Sequence, residues 1–557
     1  TESRRGEGIT ESRRGEGITE SRRGEGIAET RSGRKLKQSV KLKDYIVNFV
    51  EEEALLTYEE AVKGPEKDKW LEAIREEKES LNKNLTWSYV NINEVDKHRI
   101  LTSKWVFKVK DNGKYRARLV VRGCQQHKGI DYNETFSPVV NISSVRIMLA
   151  LAAKYNMSVT KFDVKTAFLY GSISEEIFMH VPEGFKCEQT ENKVCKLSKS
   201  LYGLKQAPMK WNERFTTSLK LNGLKPLISD QCLFTNIEKT MLLAIFVDDG
   251  LLISKCEEEM KSLLKNLQTE FEMTSEKNPN RFLGISIQKH DGKVILSQQD
   301  YVQATLEKFN MQNSKPVPTP MVKQDISSED KMVKINYPFR EAVGSLLYLN
   351  NKTRPDISYA VNYCSRKMEN FSNQDIVTVK RVFRYLISTK NDGLCYDGQN
   401  SERLIAYCDS DFAGDTETRR STTGYIIFFC GGPISWCSRK QPIVSLSSTE
   451  AEYISAAECV KELLYLKSLI DELTNGEVKI DLYVDNQSAI SIVKTGQFNR
   501  RSKHIDVRFH FINEKVREGI INIKYCSTEK QIADIFTKPL GNIKFENLKE
   551  QFMSSIN

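Results

Sequence analysis

Two carboxylates inside an apolar run constrain this chain more than any other feature of its sequence. Residues 241–254 read MLLAIFVDDGLLIS, which predicts two strands flanking Asp248-Asp249-Gly250. Adjacent carboxylates are costly to hold near a core unless a cation neutralises them, and magnesium prefers a few carboxylates together with phosphates and waters. An Asp-Gly pair also forms tight hairpin turns without any metal. The hairpin alone therefore leaves two interpretations open, a metal site and a simple turn.

A third acid lies in another predicted strand. Asp163 occurs in VTKFDVKTAF, where Phe162 and Val164 occupy the opposite face. A polymerase needs acids from two strands that hold two cations about 4 Å apart, one activating the primer 3′-hydroxyl and one stabilising the leaving pyrophosphate. We therefore predict that Asp163 meets Asp248 and Asp249 in space.

An earlier predicted hairpin has one basic face. KWVFKVK alternates from Lys104, a turn follows at 111–114, and YRARLV alternates back. Such a face suits a chain of phosphates, although an ordinary solvated sheet face has the same pattern. The candidates for binding phosphates are Lys108, Lys110, Arg116 and Arg118.

Four spaced acids mark the C-terminal part of the chain. Strand-end acids and one helical acid can converge on two magnesium ions beside a scissile phosphate. Glu450 has a rival interpretation, because Ser447 and Glu450 fit a capping box that would make the glutamate structural. The order of the four acids favours the metal site. They are Asp409 after RLIAYC, Glu450 in LSSTEAEY, Asp485 after KIDLYV, and Asp534 in KQIADIFTK.

Composition, a repeat and a proline-marked segment indicate how the chain is divided into domains. The 557 residues are too many for one core, and the net charge of +9 favours an anionic partner such as nucleic acid. Residues 1–27 repeat TESRRGEGI three times, which predicts a disordered tether, and the proline-marked stretch 313–334 predicts a connector. Twelve scattered cysteines without a CxxC pair predict reduced thiols. No apolar run approaches the roughly 20 residues that span a bilayer.

Many sequence blocks occur in one order. They are KYRARLVVRG, GIDYNETFSPVV, FDVKTAFLYG, LYGLKQAP, FVDD and RFLGISI, then YCDSDFAGD, SSTEAEY, VDNQSAI and QIADIFTKPL. Together they closely resemble the reverse transcriptase and ribonuclease H of copia-type long-terminal-repeat retrotransposons, from about Tyr58 to the end of the chain. The resemblance implies an α/β and α+β multidomain fold, in which a right-hand polymerase precedes a ribonuclease H-like domain. The expected divisions are a linker at 1–45, fingers and palm at 46–290, thumb and connection at 291–400, and ribonuclease H at 401–557.

The resemblance also implies roles for residues of the polymerase. Asp163, Asp248 and Asp249 would be its metal acids, and Phe168 would exclude a ribose 2′-hydroxyl, with a plain core aromatic as the alternative. Phe246 stands where the family more often has tyrosine, which removes no metal ligand. The remaining implied contacts are Gln206 with the incoming nucleotide, the primer with Phe282, Leu283 and Gly284, and the triphosphate with members of the set Lys108, Lys110, Arg116 and Arg118.

For the last domain, the resemblance makes Asp409, Glu450, Asp485 and Asp534 the ribonuclease H acids. His504 and His510 are interpreted as structural, since no histidine lies between His510 and Asp534. The implied activity is synthesis of DNA on RNA and cleavage of the RNA strand of the hybrid, with two Mg²⁺ or Mn²⁺ ions in each centre.

Partners and location are also expectations from the resemblance. The partners are an RNA template, a primer RNA, an RNA–DNA hybrid and deoxynucleoside triphosphates, together with integrase and capsid-derived particle components, and no membrane. The expected location is intracellular, in a cytoplasmic virus-like particle or the nucleus, and the chain is expected to be part of a longer polyprotein. The rival interpretations are a domesticated or decayed remnant that binds nucleic acid without catalysis, and a nuclease alone.

Overall fold

A computed structural model gives the structure of the protein and describes residues 56–96, 99–109, 113–323, 337–495 and 506–556. The N-terminal repeat, Lys110 and His504 lie outside these ranges, as does part of the expected connector. Two compact units divide the described residues: those up to Ile74 together with Trp105–Ala117, and Arg75–Lys104 together with everything from Arg118 onward. Within these ranges, no helix combines the length and the apolar character needed to cross a membrane, and all twelve cysteines are free thiols.

The first unit is built around aromatic side chains. Thr57 and Glu60 form a capping box that starts the first helix, and Gly64 ends it. Trp70 packs edge-on against Phe107 and Tyr115, with ring centroids 5.2 and 4.5 Å away. The hairpin predicted from Lys104 is present. The elements up to residue 121 are α1 (Tyr58–Lys63), α2 (Lys67–Lys83), β1 (Trp87–Asn91), β2 (Ile100–Leu101), β3 (Ser103–Val109) and β4 (Tyr115–Val121).

A six-stranded antiparallel sheet carries the acidic hairpin, with the strand order β12-β5-β11-β10-β9-β8. A smaller sheet has the order β1-β7-β6-β2. The following elements complete this region: α3 (Ile142–Lys154), β5 (Ser158–Val164), β6 (Phe178–His180), β7 (Lys193–Leu197), α4 (Ala207–Leu221), β8 (Lys225–Pro226), β9 (Leu233–Thr235), β10 (Met241–Phe246), β11 (Asp249–Ser254), α5 (Glu257–Glu270) and β12 (Met273–Lys277).

Both faces of this sheet are covered, which explains the continuous apolar run of β10. Leu242 and Ala244 face a core that includes α3, whereas Leu243 and Ile245 face a core with Trp211 of α4 and residues of α5. Successive side chains of a strand point to opposite faces, so a strand buried on both sides has no polar alternation.

A helical region with its own sheet follows, in the strand order β13-β14-β15-β16-β22. Its last partner, β22, comes from the C-terminal end of the chain and pairs with β16. The elements are β13 (Arg281–Phe282), β14 (Ile285–His290), β15 (Lys293–Ser297), α6 (Gln299–Lys308), α7 (Phe339–Lys352), α8 (Ser358–Ser365), α9 (Asn373–Ser388) and β16 (Asp392–Asp397).

A fully buried ion pair lies in the segment between α7 and α8 and bonds to the C-terminal end of α9. Arg354 Nη2 lies 2.7 Å from Asp356 Oδ2, and Tyr385 Oη donates to the same oxygen at 2.7 Å. Arg354 also donates to the carbonyl and hydroxyl oxygens of Thr389. Burial alone would raise the pKa of Asp356, but the charge of Arg354 and the hydrogen bonds outweigh it and hold the pKa below its ordinary value. The carboxylate is therefore ionised at neutral pH, and its stabilising effect is lost only as pH falls through this lowered pKa.

We expect Asp356→Ala to lower the free energy of unfolding by about 3–5 kcal/mol, because it leaves the Arg354 guanidinium buried without a counter-charge. Urea unfolding followed by circular dichroism measures this loss. The control is Glu59→Ala, which removes an exposed partner 3.5 Å from Lys63 and should cost less than about 1 kcal/mol. Equal losses for the two variants would contradict the assignment of a stabilising buried pair.

The C-terminal region is a five-stranded sheet with the order β19-β18-β17-β20-β21. β17, β18 and β19 are antiparallel, whereas β20 pairs parallel with β17 and with β21. The elements are β17 (Leu404–Ser410), β18 (Thr422–Phe429), β19 (Gly432–Lys440), α10 (Ser448–Leu473), β20 (Ile480–Val484), α11 (Gln487–Thr495), α12 (Asp506–Arg517), β21 (Ile521–Tyr525), α13 (Asn542–Lys549) and β22 (Ser554–Ser555).

One apolar core runs through the second unit, from α3 through α7, α8 and α9 to the C-terminal sheet. Arg146 of α3 lies inside it, with its guanidinium 3.8 Å from the ring centroid of Trp436 on β19. The same side chain donates to the carbonyl oxygens of Ile434 at 2.8 Å and Lys352 at 2.9 Å. The buried cation thus bonds three segments that are far apart in sequence.

Candidate active sites

Strand register brings Asp163 and Asp249 face to face. β5 pairs antiparallel with β11 so that Asp163 lies opposite Asp249 and Phe162 lies opposite Gly250. Residues directly opposite each other have Cβ atoms about 4.5–5.5 Å apart. The two carboxylates therefore lie on one face of the sheet, while Phe162 points into the core on the other face.

Asp248 occupies the two-residue loop of the β10–β11 hairpin, since Phe246 pairs with Asp249. Val247, the other loop residue, has φ of +57°, which is rare for a β-branched side chain. Trp211 Nε1 donates to the Val247 carbonyl at 2.6 Å, and the Val164 backbone N–H donates to the Asp248 carbonyl at 2.9 Å. These bonds hold the strained loop against β5, and Asp248 with it.

Gly250 is a residue of β11 and does not form the turn. A Cβ atom at this position would lie 2.0 Å from Cζ of Phe162. Glycine is therefore required because the Phe162 ring crosses the strand there. The tight-turn interpretation of Asp249-Gly250 does not describe this hairpin, and the two aspartates need another explanation.

The electrostatics of this first centre favour a cation. Burial raises the pKa of Asp249, Lys161 opposes the rise, and the charges of Asp248 and Asp163 add to it. Lys161 Nζ lies 3.6 Å from Asp249 Oδ1, and Arg118 Nη2 lies 4.0 Å from Asp248 Oδ2. Asp249 Oδ1 is buried and accepts no hydrogen bond. An oxygen of this kind, next to two other carboxylates, fits a divalent cation.

The Tyr202 ring contacts both Arg118, a predicted phosphate-binding residue, and Phe168, the predicted sugar-excluding residue. The Arg118 guanidinium lies 4.2 Å from the Tyr202 ring centroid, and the Phe168 ring centroid lies 4.8 Å from it. Phe168 is half-buried in a short 3₁₀ helix, Ala167–Tyr170, that follows β5. Arg118 therefore lies between Asp248 and the ring on which Phe168 packs.

Gln206 is placed differently from what the resemblance implied. Its side chain is fully buried, its Oε1 accepts from Gln126 Nε2 at 3.0 Å, and its Nε2 donates to the Asp131 carbonyl at 2.8 Å. Both ends of the amide bind protein groups. Gln206 therefore fixes the loop after β4 beside the start of α4, and its contact with an incoming nucleotide stays a prediction.

The other residues predicted to contact substrate lie on separate elements. Lys108 is exposed on β3, and Arg116 is half-buried on β4. Phe282 is buried in the core, and the turn at Leu283 and Gly284 has positive φ at both residues. Tyr348 Oη of α7 donates to the Leu283 carbonyl at 3.1 Å. A Cβ at Gly284 would lie 2.1 Å from that hydroxyl oxygen, so α7 fixes this turn closely.

A second acidic centre lies on the C-terminal sheet. Ligand oxygens of Asp409, Glu452 and Asp485 all lie within 4.8 Å of one another, and among the described residues this is the only such group of metal-ligating side chains. The aspartates come from β17 and from the end of β20, and the glutamate comes from α10. The acids of the first centre are less tightly gathered.

Glu452, not Glu450, is the helical acid of this group. Glu450 lies at the start of α10, where its Oε2 accepts from the Leu446 N–H at 2.7 Å and its own N–H donates to Ser447 Oγ at 3.1 Å. Glu450 therefore lies outside this group, and the Ser447 bond of its rival capping interpretation is present, so its role as a metal ligand stays a prediction. The glutamates are two residues apart, which rotates them about 200° around a helix.

The sequence contains a signal that could have identified Glu452. Ser455 and Cys459 follow it by three and seven residues, so the three side chains share one helical face. That face lies on the sheet, since Ser455 Oγ donates to the Asp409 carbonyl at 2.7 Å and Cys459 is buried.

The second centre also fits a cation. Burial raises the pKa of Glu452 well above its ordinary value, and the charges of Asp409 and Asp485 add to the effect. Burial likewise raises the pKa of Asp409 to about 6. Glu452 Oε1 accepts from the Ser410 N–H, whereas its Oε2 is buried and accepts no hydrogen bond. A cation between these carboxylates would neutralise them and occupy the unpaired oxygen.

Asp534, the fourth predicted acid, lies in a 3₁₀ helix at Ile532–Phe536. It is fully buried and pairs with Lys538 and Lys544. Thr537 Oγ1 donates to Asp409 Oδ2 at 2.5 Å, which joins this segment to β17. His510 is exposed on α12.

Comparisons with known proteins identify the family of this chain. Residues 84–323 match the family described as Reverse transcriptase (RNA-dependent DNA polymerase). The Retrovirus-related Pol polyprotein from transposon TNT 1-94 of Nicotiana tabacum is 41% identical over 88% of this chain, and that from transposon RE1 of Arabidopsis thaliana is 37% identical over 87%. The chain spans 38% and 34% of the length of these relatives. A solved foamy viral protease–reverse transcriptase with double-stranded DNA aligns over 86% of this chain and 85% of its own, at 12% identity and a TM-score of 0.45.

Proposed function

Because the chain belongs to the copia-type retrotransposon Pol polyproteins and contains their reverse transcriptase domain, we propose that it copies RNA into DNA at the first acidic centre. The observation that carries this proposal is the register of Asp163 against Asp249 beside Asp248. Two Mg²⁺ ions, when bound there, would supply the positive charge that activates a 3′-hydroxyl and stabilises the leaving pyrophosphate.

The protein's own groups would perform the positioning. The strained Val247–Asp248 loop and the Trp211 hydrogen bond fix the acids before substrate arrives, so no reorganisation is needed. Arg118, held against the Tyr202 ring, would direct its remaining donors toward the triphosphate. The rigid turn at Leu283 and Gly284 would support the primer strand.

A second activity is proposed for the C-terminal centre, which is cleavage of the RNA strand of an RNA–DNA hybrid. The supporting observation is the buried group of Asp409, Glu452 and Asp485. Its three carboxylates would hold Mg²⁺ beside a scissile phosphate. Asp534, whose charge acts on Asp409, would be the fourth acid of this centre. The hybrid would be recognised by backbone shape and 2′-hydroxyl groups more than by base sequence.

The test of the first activity is magnesium-dependent extension of oligo(dT) on poly(A) by the purified chain. Extension that stops with EDTA and resumes with Mg²⁺ is the expected result. Binding of the primed template without extension would favour the domesticated remnant, and cleavage without extension would favour the nuclease alone.

We expect Phe168→Ala to admit ribonucleotides. The half-buried ring packs on Tyr202, which also contacts Arg118 near Asp248, so its loss would open space next to the sugar of the incoming nucleotide. Discrimination against ribonucleotides should fall by about 10- to 200-fold, the range given by one lost steric contact. Single-nucleotide incorporation with dTTP and UTP measures the ratio.

The control for this variant is Phe215→Leu, which loosens the same core from a fully buried position. Its sugar selectivity should be unchanged. If Phe168→Ala also leaves the selectivity unchanged, Phe168 is a plain core aromatic.

A further inference from the structure

Two lysines surround the fourth acid of the C-terminal centre. Lys538 Nζ lies 2.6 Å from Asp534 Oδ1, and Lys544 Nζ lies 2.7 Å from Asp534 Oδ2. The Asp534 side chain has no exposed surface, so both of its oxygens depend on these cations for neutralisation. These two cations affect how many metal ions the proposed ribonuclease H centre can bind, so an inference from them rests on that proposed function.

Only one of the two lysines is close to a second carboxylate of the centre. Lys538 Nζ lies 3.7 Å from Asp409 Oδ2, so its ammonium group bridges Asp409 and Asp534. Lys544 bonds instead to Asp534 and to the Thr528 carbonyl. The Lys538 side chain is 38% exposed, which leaves it a path to swing into solvent without disturbing the core.

The charges at this centre limit how many divalent cations it can hold. Asp409, Glu452, Asp485 and Asp534 carry four negative charges when ionised, and the two lysines cancel two of them. One divalent cation completes neutrality. A second one would leave a surplus of two positive charges in a buried site, which is costly until an anionic substrate arrives.

The position for that first cation is marked by a buried, unpaired oxygen of Glu452. Glu452 Oε2 is buried and accepts no hydrogen bond, and Glu452 lies in the triad with Asp409 and Asp485. The region between Asp409 and Asp534, in contrast, already contains the Lys538 ammonium group.

We infer that Lys538 is a resident counter-cation that holds the second-ion position of the substrate-free protein. The centre then binds one divalent cation on Asp409, Glu452 and Asp485. Lys538 leaves Asp409 and Asp534 only when the scissile phosphate and a second divalent cation bind together, because the phosphate's negative charge keeps the site neutral with that second cation. Lys538 is thus a positioning residue that couples occupancy of the second position to the presence of substrate.

Titration calorimetry with Mn²⁺, in the absence of nucleic acid, tests the inference. The full chain carries Asp163→Asn and Asp248→Asn to silence the first centre. We expect one Mn²⁺ per chain with Lys538 present, and a second Mn²⁺ with Lys538→Met, bound at least about tenfold more tightly than any second ion of the parent. Lys544→Met is the matched control and should still bind one, since Lys538 continues to bridge the two aspartates.

Each outcome has a distinct consequence. Two equally tight ions in the parent, or one ion in the Lys538→Met chain, overturn the inference and leave the nuclease centre standing. A parent that binds no Mn²⁺, with no change on Glu452→Gln, overturns the proposed function and the inference together. Lys538→Gln replaces the methionine variant if the latter does not fold, as judged by its melting curve, and the same stoichiometry is expected of it.

Discussion

Asp248→Asn is expected to abolish DNA synthesis, by about 10²- to 10³-fold or more, while RNA cleavage continues at its original rate. The substitution keeps the size of the side chain in the two-residue loop and removes only its charge. The loop stays fixed because its bonds to Trp211 and Val164 involve the main chain. Primer extension and hybrid cleavage, measured on the same preparation, give the two rates.

Glu276→Gln is the control for this experiment. Glu276 lies exposed on β12, opposite Lys161 of β5, so it is an acid of the same sheet outside the proposed centre. We expect it to retain both activities. If Asp248→Asn folds normally and loses extension and cleavage together, the two activities do not arise from separate centres.

Glu452→Gln is expected to abolish RNA cleavage, whereas Glu450→Gln is expected to keep most of it. The first variant removes a buried carboxylate whose Oε2 has no hydrogen-bond partner and whose neighbours are Asp409 and Asp485. The second changes a residue that accepts a hydrogen bond from Leu446 at the helix start. A glutamine can still accept that bond, so its cost should stay within the roughly 0.5–2 kcal/mol of a lost cap.

The two glutamates form a matched pair, since they have the same side chain on the same helix. Cleavage of a labelled RNA–DNA hybrid gives the activity, and the melting curve gives the stability. Loss of cleavage in Glu450→Gln together with retention in Glu452→Gln would return the metal role to Glu450. DNA synthesis should be unchanged in both variants, which controls for general damage to the chain.

Local pattern was sufficient for many of the elements. The apolar run at 241–254 is the expected hairpin, and the alternating segments from Lys104 form the expected hairpin of β3 and β4. These succeed because each reflects a nearby pattern: strands buried on both sides, or alternation along a strand. The fold class expected from the sequence is confirmed by the family match and by the mixed sheets and helices.

Pattern was insufficient where two chemically equal groups compete. LSSTEAEY offers two glutamates, and the order of the acids and the resemblance selected Glu450, whereas Glu452 lies with Asp409 and Asp485. By resemblance, the glutamine in LKQAP was assigned to the incoming nucleotide, whereas in the structure its amide group bonds to Gln126 and Asp131. In both cases the partner comes from a remote part of the chain, so nothing near the residue in sequence specifies its direction.

The sequence by itself determined which residues carry charge, which segments alternate or run apolar, and hence that the chain has two sets of spaced acids. Only the tertiary structure decided that β5 and β11 pair in the register that opposes Asp163 to Asp249, and that Lys538 lies between Asp409 and Asp534. The physical reason is that carboxylates separated by many residues interact through distance and burial. Both of these depend on packing of remote segments, which local propensity does not encode.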